Sequence, residues 1–452
     1  MSIPNFDHLP KILPLLAALL LPAQAGQAET LSLDQAVAAA LERNAGLAAS
    51  QARVGQAEAA LRQAEAGRWP TLGLALSASR SDDPLSAFGA KLGQRGVTAA
   101  DFAPAAINRP GAVDNFNTRI ELQWPLYTGG LTTSRIDQAQ AQSQAARLSD
   151  AAAKQQLIQQ VATAYQAVHA ARAYLKVAEQ SQAAAEEALR VSERLQAQGV
   201  AIKSDVLAAR VNLEEARLKQ AEGRRLEAGA IDRLKLLLGR PLSEALDVAA
   251  EVQPKILPGE EEALRQRAMQ DHPQLQALRN ELDAARARVA GARAGRLPQL
   301  NLVGRQDWND NALGFDASSY TVAGVLSWRA FDGGATSAAV AQAEAAYRES
   351  AAALRQAEEG IALQVAEARR LALEAEQRIA AREAAAAQAE EAQRLVRKRY
   401  ENGIVTLVEL LAGQAQLDRG RAELVAARRD RVTAWLELRR AVGALSMEQG
   451  WQ

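Results

Sequence analysis

The segment Leu122–Gly130 reads LQWPLYTGG, and it recurs at Leu326–Gly334 as LSWRAFDGG. Each copy begins with the alternation of a β-strand, passes an aromatic cluster, turns on two glycines and opens a long tract of helical composition. The copies are 204 residues apart, and the same offset relates Gly199 to Gly403. A repeat of this length indicates two large structural units rather than a solenoid of short repeats.

A second pair of similar segments lies upstream of the first. Glu65–Leu76 reads EAGRWPTLGLAL and Arg293–Gly304 reads RAGRLPQLNLVG, with Pro70 and Pro298 228 residues apart. The difference between the two offsets places 24 extra residues in the first copy, between its two strands. We therefore expect a long loop at Ser81–Asn117, and loops of this length are usually functional or mobile.

The composition of the 452 residues is that of extended helices rather than of a compact core. The chain is 48% hydrophobic, with much of that alanine, but only 4% aromatic, and its 53 basic and 53 acidic residues give no net charge. Such a balance provides no attractive field for nucleic acid. The absence of cysteine excludes disulfides, thiolate metal sites, a cysteine nucleophile and a lipid-anchoring cysteine.

Sequence motifs of enzymes are absent. The chain has no phosphate loop, no dinucleotide fingerprint and no serine-hydrolase elbow, and its three histidines are scattered. We therefore predict that the protein is not an enzyme and that it binds neither a cofactor nor a structural metal.

The N-terminus resembles an export signal, predicted to occupy residues 1–28. Lys11 precedes the apolar run Ile12–Pro22, and small residues offer cleavage after Ala25 or Ala28. The run is too short to span a bilayer, so a removed signal peptide is the better interpretation.

The patterns divide the mature chain into two repeats, a linker and a tail. Repeat 1 (29–240) is predicted to hold strands at about 70–80 and 117–127, a long helix at 132–198 and a return helix at 204–238. A linker (241–260) leads to repeat 2 (261–443), with strands at about 298–306 and 319–329, a long helix at 336–402 and a return helix at 408–442; residues 444–452 form a tail.

The long helices carry an apolar stripe with alternating spacings of 4 and 3, which is the spacing of a coiled-coil seam. Leu157, Val161, Ala164 and Val168 belong to this stripe. Alanine on the remaining faces permits close neighbours on more than one side. We infer that two short helices pack end to end beside each long helix, within a wall of helices.

Aromatic residues concentrate at the predicted strands and are nearly absent from the helices. A small soluble β-core is one explanation for this concentration. The other is a membrane barrel, because Trp and Tyr favour the headgroup level of a bilayer and the strands have the length that crosses one. The interface aromatics predicted on that basis are Trp69, Trp124, Tyr127, Trp308, Tyr320, Trp328 and Phe331.

Four strands cannot form a stable sheet in lipid by themselves. An open edge would leave backbone groups unpaired at a cost of several kcal/mol each, so only a closed barrel is viable. Two chains would supply eight strands, whose side chains fill the interior, and three would supply twelve, wide enough for a duct. The helices would continue that duct for roughly 100 Å.

Four features of the sequence occur in one order: the duplication, Arg-Trp-Pro and Arg-Leu-Pro before the strands, the Gly-Gly junctions, and the tip sequences QGVAIKSDVL and ENGIVTLVELL. Together they resemble the TolC family of outer-membrane efflux channels. The resemblance covers essentially the whole mature chain. It implies a mainly α-helical homotrimer: a twelve-stranded barrel in the outer-membrane lipid, continued by a periplasmic α-helical barrel. It also implies a periplasmic adaptor protein and an inner-membrane transporter as partners.

The resemblance further implies a narrow periplasmic mouth at the helix-to-helix tips. The matching acidic residues are Glu409 and its repeat mate Asp205, although Ala412 stands where some relatives carry a second acid. The alternative reading is that these acids only complement a helix macrodipole. The tip residues are either ordinary packing contacts or an adaptor-docking surface; they are Gly199, Val200, Ile202, Gly403, Ile404 and Val405.

The predicted function is that of a passive exit duct from the periplasm, serving a tripartite efflux or type I secretion system. The alternative is a periplasmic adaptor or coiled-coil scaffold, which should show one helical hairpin flanked by soluble β domains. Drugs, metal ions and polypeptides all remain possible cargoes.

Overall fold

The computed structural model describes residues 29–251 and 257–446. The predicted signal peptide, residues 1–28, lies outside the described residues, as does most of the predicted tail. Repeat 1 comprises β1 (Glu29–Leu31), α1 (Leu33–Arg43), α2 (Ala45–Ala66), β2 (Thr71–Ser81), α3 (Pro84–Gly93), a 3-10 turn (Ala99–Phe102), α4 (Pro104–Asn108), β3 (Val113–Tyr127), α5 (Leu131–Ala197) and α6 (Lys203–Leu237).

Repeat 2 reproduces four helices of repeat 1, namely α1, α2, α5 and α6, residue for residue in length. Strand β4 (Leu246–Val248) lies between the repeats. Repeat 2 then comprises α7 (Glu261–Asp271), α8 (Pro273–Ala294), β5 (Gln299–Asp310), β6 (Ala317–Ser327), α9 (Ala335–Glu401) and α10 (Leu407–Ala441). Helices α5 and α9 each have 67 residues, α6 and α10 have 35, and α2 and α8 have 22.

Four strands form one antiparallel sheet in the order β2-β3-β5-β6. Leu72 is in register with Leu122, and Leu122 with Gly304, so side chains of one parity share a face across the sheet. The sheet is attached to the helices at one end, where β3 leads into α5. We call this the helix end and the opposite end the outer end.

The glycine pairs make the sharp passage from strand to long helix. Gly129 and Gly130 have φ of 64° and 88°, and Gly333 and Gly334 repeat them at 65° and 92°. Other residues rarely adopt two successive left-handed conformations, so the pair fixes where α5 and α9 begin.

Each long helix packs against two shorter helices of its own repeat, as inferred from their lengths. Helix α5 contacts α2 and α6, and α9 contacts α8 and α10. Helix α8 also packs on α5 and joins the two repeats. The stripe Leu157, Val161, Ala164 and Val168 is buried in this packing.

The elbows between the short helices are built alike in the two repeats. Asn44 separates α1 from α2 and accepts a hydrogen bond from the Leu47 N–H at 3.1 Å. His272, 228 residues later, separates α7 from α8, and its Nδ1 accepts from the Gln274 N–H at 3.2 Å. Both residues are N-caps of the kind that satisfies an orphan backbone donor.

Three features depart from the sequence-based expectations. The predicted loop Ser81–Asn117 contains α3 and α4, and β3 begins at Val113. The predicted linker contains β4, which pairs in parallel with β1. Strands β3 and β5 extend beyond the segments in which apolar residues alternate. Polar side chains pair across their outer ends, where Asn115 Nδ2 donates to Asn309 Oδ1 at 3.2 Å.

None of the helices in the described ranges, 29–251 and 257–446, is long and apolar enough to cross a membrane.

Burial gives His272 a pH-dependent role in stability. Its side chain is 5% exposed, and desolvation, aided by the nearby Arg440 charge, lowers its pKa to about 4. The unfolded chain, with a pKa near 6.5, binds the proton more readily. The free energy of unfolding should therefore fall as the pH drops from about 6.5 to 4, by a few kcal/mol per chain.

Thermal unfolding of the wild type and of His272→Asn between pH 4 and 7 tests this expectation. Asparagine caps the same elbow in repeat 1 but does not titrate, so this variant should lose most of the decline in melting temperature. Equal declines in the two proteins would contradict the assignment.

Candidate functional site

One face of the four-stranded sheet is apolar and open. Leu72, Leu74 and Leu76 of β2 are 63–72% exposed. The register places further apolar side chains beside them, namely Ile120, Leu122, Leu302, Val322 and Leu326. A continuous exposed apolar surface of this kind marks a site of contact with lipid or protein.

Aromatic side chains border this apolar face at both ends. Trp124 is in register with Leu302, six residues before Trp308 along β5, a separation of about 20 Å at the rise of a strand. Trp308 is half-buried, with its ring 5.7 Å from that of Phe315. The other six predicted interface aromatics are exposed, namely Trp69, Trp124, Tyr127, Tyr320, Trp328 and Phe331.

Two of these tryptophans fasten the strand ends to the helices in the same way. Trp124 Nε1 donates to the Arg68 carbonyl at 3.1 Å, and Trp328 Nε1 donates to the Arg296 carbonyl at 3.1 Å. The arginine side chains in these turns are exposed. The same tryptophan–arginine contact therefore occurs once in each repeat, at the helix end of the sheet.

The other face of the sheet is polar and carries two ion pairs between directly opposite residues. Arg119 Nε lies 2.7 Å from Asp307 Oδ1, and Arg305 Nε lies 3.6 Å from Glu121 Oε2. The pairs have opposite orientation across β3 and β5, so the charges on this face alternate. This face is suited to water and to a polar lumen.

The two helix-to-helix connections form compact tips. Gly199 and Gly403 have φ of 76° and 71°. The Val200 N–H donates to the Leu195 carbonyl and the Ile404 N–H to the Arg399 carbonyl, both at 2.9 Å. These are the hydrogen bonds of a glycine C-cap, and they explain why each long helix stops where it does.

The predicted docking residues differ in exposure. Val200, Ile202 and Ile404 are 60–65% exposed. Val405 is half-buried and packs on the apolar cluster beneath the tips, which includes Leu195 and Leu407. A Cβ on Gly403 would lie 3.4 Å from Val200 Cγ1, so the two tips touch each other.

The predicted gate residues lie at equivalent helix starts. Asp205 is half-buried in the first turn of α6, and Glu409 is exposed in the first turn of α10. The Glu409 N–H donates to Thr406 Oγ1 at 3.3 Å. Both acids thus lie where a helix macrodipole favours negative charge, and both lie at the end of the molecule that the tips form.

A buried polar network joins the two repeats behind the tips, and sequence reasoning did not anticipate it. Ser192 Oγ and Tyr400 OH are 2.7 Å apart, linking α5 to α9. Nearby, Gln393 Nε2 donates to Gln414 Oε1 at 3.0 Å, and Ser181 Oγ donates to Asp418 Oδ2 at 2.6 Å. The sequence signal that could have indicated this network is the presence of polar residues at the packed seam positions of alanine-rich helices.

In the described ranges no group of three or more His, Cys, Asp or Glu side chains could hold a metal ion.

The Ser192–Tyr400 bond should hold the tip ends of α5 and α9 together. Tyr400→Phe removes it at a cost of about 1 kcal/mol, which corresponds to roughly fivefold faster local opening. Hydrogen exchange measured by mass spectrometry should show this acceleration near residues 396–410. Tyr347→Phe, near the sheet end of the same helix, should leave the tips unchanged; equal effects would exclude a local role for the bond.

The sequence matches the family model described as "Outer membrane efflux protein" over residues 36–240 and 264–444. Protein CyaE of Bordetella pertussis is 30% identical over 318 residues, which cover 69% of this chain and 63% of that protein. Alkaline protease secretion protein AprF of Pseudomonas aeruginosa is 27% identical, covering 74% of this chain and 70% of AprF. Outer membrane protein OprJ of the same species is 26% identical, covering 93% and 84%.

Solved outer-membrane channels have the same fold. The outer-membrane channel OprN superimposes with a TM-score of 0.79 at 22% identity, covering 93% of this chain and 90% of OprN. The Campylobacter jejuni CmeC outer membrane channel gives 0.79 at 16% identity, covering 99% and 96%.

Proposed function

The chain belongs to the outer membrane efflux protein family, and from that membership we propose that it is a passive exit duct assembled from three copies. Its fold class and its location in the outer membrane, with a periplasmic helical extension, are those predicted from the sequence. The observation that carries the proposal is the four-stranded sheet, apolar on one face and charged on the other, continued by helices about 100 Å long.

Repeat symmetry supports closure of this sheet by other copies of the chain. Strand β3 pairs with β5 within one chain, and the repeat images of these strands are β6 and β2. Strands β6 and β2 are the two edges of the sheet. Pairing β6 of one copy with β2 of the next would repeat a contact that the chain already makes, and three copies would close twelve strands.

The same symmetry supports a seam between the helices of neighbouring copies. Helix α5 packs on α8, so the image of this contact would join α9 of one copy to α2 of the next. Within the chain, a Cβ on Gly291 would lie 3.4 Å from Ser134 Cβ. Their repeat images are Gln63 and Ala338, and both are exposed.

A pair of cysteine variants tests the seam on a background without native cysteine. Gln63→Cys with Ala338→Cys should cross-link between copies under oxidation, because a disulfide needs Cβ atoms about 3.5–4.5 Å apart. Non-reducing gels of outer-membrane fractions should show a ladder that ends at the trimer.

Ser134→Cys with Gly291→Cys is the matched control, because this pair should link within one chain and leave its mass unchanged. A ladder that stops at the dimer, or no ladder beside a working control, would refute the trimer.

The apolar face and its aromatic borders fit the lipid of the outer membrane. Exposed tryptophans at the helix end would lie at the headgroup level, as in membrane barrels. Arg68, Arg296 and Arg329 are exposed beside them and can meet lipid phosphates. The charged face, with Arg119 and Asp307, would line the lumen.

The exposed tip residues fit a docking surface for a periplasmic adaptor protein. Val200, Ile202 and Ile404 present apolar side chains at the end of the molecule farthest from the sheet. Val405 supports them from below. An adaptor that separated the tips would also strain the Ser192–Tyr400 bond, which connects tip contact to opening of the mouth.

Asp205 and Glu409 would place a ring of six carboxylates at the periplasmic mouth of a trimer. Such a ring favours cation entry and binds multivalent cations. Asp205→Ala with Glu409→Ala should lower the cation-to-anion permeability ratio in planar bilayers by roughly twofold or more.

Glu359→Ala, which removes an exposed acid far from the tips, is the control for that measurement. Unchanged ion preference and conductance in the double variant would rule out the gate assignment. A wild-type protein that forms no channels at all would refute the proposed function itself.

The partners proposed for the duct are an adaptor and an inner-membrane transporter, since the duct has no energy source of its own. Relatives are named both for protease secretion and for efflux pumps, so polypeptides and small molecules are the two proposed classes of cargo. Two complete repeats with a membrane-type sheet favour the channel over the alternative of an adaptor or scaffold.

A further inference from the structure

The connection between β2 and β3 differs strongly from its counterpart in repeat 2. Residues 82–112, which we call the insert, join β2 to β3, whereas only residues 311–316 join β5 to β6. The insert has its own packing: the rings of Phe88 and Phe102 are 5.6 Å apart, and Ala87 is 1% exposed. It is a folded element and not an open loop.

An internal ion pair stabilises the insert. Lys91 Nζ lies 2.6 Å from Asp101 Oδ1, and Asp101 also accepts from the Thr98 N–H at 2.8 Å. The Lys91 bond, followed by the Thr98 bonds, lowers the pKa of Asp101 to about 2. The carboxylate of Asp101 therefore keeps its charge near neutral pH.

The insert lies on the polar face of the sheet. Gln94 Nε2 donates to the Asp114 carbonyl at 2.7 Å and to Asn115 Oδ1 at 3.0 Å. A Cβ on Gly93 would lie 3.4 Å from Asn309 Cγ. Asn115 and Asn309 have the same parity as the ion-paired residues of β3 and β5, so these contacts are made on the charged face.

The end of α3 reaches across the sheet to its far edge. Arg95 Nη2 donates to the Ser318 carbonyl of β6 at 2.6 Å. Arg95 has φ of 55°, and in the described part of the chain no other residue except glycine has a positive φ. This conformation belongs to the C-cap of α3, in which the Arg95 N–H donates to the Leu92 carbonyl at 3.0 Å and the Gly96 N–H donates to the Lys91 carbonyl at 2.9 Å.

The shorter connection of repeat 2 lies on the opposite face. Phe315 packs against Trp308, whose parity is that of Leu76 and Thr118 on the apolar face. The two connections therefore leave the sheet in opposite directions, and only the insert extends over the charged face.

We propose that the insert is a constriction at the outer mouth of the duct, which limits the size of the molecules that pass. The proposal rests on the proposed function, because the charged face becomes the lumen only when the barrel closes. Three inserts would then extend from the barrel wall toward the axis. Leu85, Leu92 and Phe102 are 83%, 53% and 60% exposed in one chain and can cover one another where three copies converge.

Reaction of an introduced cysteine with maleimides added outside whole cells tests the constriction. Ala75→Cys lies on the charged face, in register with Arg119 and further inside than the levels of Asn309 and Ser318, which the insert contacts. In the protein that keeps its natural insert, this cysteine should react readily with a small maleimide and poorly with a bulky polymer-linked one. Replacement of residues 82–112 by a copy of residues 311–316 should raise the rate of reaction with the bulky maleimide at least about tenfold, because a twelve-stranded barrel leaves an open lumen.

Arg95→Ala should raise the rate of reaction with the bulky maleimide by less than replacement of the whole insert does, since it removes the contact with β6 while the rest of the insert folds. Ala312→Cys, in the repeat 2 connection, is the control and should react with both reagents in every background. Equal rates of reaction with the bulky maleimide at Ala75→Cys, with and without the insert, would overturn the constriction.

A third cysteine separates this outcome from failure of the proposed function. Leu74→Cys lies on the apolar face and should be shielded from both reagents by lipid. If Leu74→Cys reacts as fast as Ala312→Cys, the sheet is not in a membrane and the duct itself is wrong. If Leu74→Cys is shielded and Ala75→Cys reacts with the bulky maleimide equally fast with and without the insert, only the constriction is overturned.

Discussion

The backbone N–H and C=O groups along the outer edges of β2 and β6 have no neighbouring strand within the sheet of one chain. In hydrocarbon each unpaired group costs several kcal/mol, so strands with an apolar face and a lipid-crossing length can exist there only in a closed ring. A closed ring of several copies follows from this constraint, and three is the number of copies proposed for it. The helices inherit the same closure, since α5 and α9 continue directly from β3 and β6.

Duplication reduces the number of contacts that such a ring requires. The chain already contains one complete joint between repeats, in which β3 pairs with β5 and α5 packs on α8. The joint between copies would reuse it, with equivalent residues at the offsets of 204 and 228. Positions at which the repeats differ are therefore not required for these equivalent contacts. The insert is the largest such difference.

The sequence was sufficient for the fold class because strong local signals mark the element boundaries. Double glycines begin the long helices, Gly199 and Gly403 end them, and the alternation of 4 and 3 identifies the seam. The β1–β4 pair was missed, because three-residue strands far apart in the chain carry no periodic signal. The helices of the insert were missed because glycine and proline interrupt that stretch at short intervals, although Asp83 caps α3 with its carboxylate.

The candidate site was predictable in part, for the same reason. Exposed aromatics and tip residues follow from local patterns, and the sequence placed them at the two ends of the molecule. The bond between Ser192 and Tyr400 joins residues 208 positions apart, and it depends on the rotation of α5 and α9 about their axes. Val405 likewise could not be separated from its exposed neighbour Ile404 without the packing beneath the tips.

The elbows have a mechanical consequence for the tip halves of the helices. Gly239 and Gly443 follow α6 and α10, and a Cβ there would lie 2.8 Å from the Arg43 carbonyl oxygen and 2.9 Å from His272 Cα. Such close seating fixes the end of each 35-residue helix at its elbow, and a helix of that length, about 50 Å, would act as a lever arm if it pivoted there. A swing of about ten degrees would carry its far end through roughly 9 Å, so a small angular change at mid-height suffices to widen a narrow mouth.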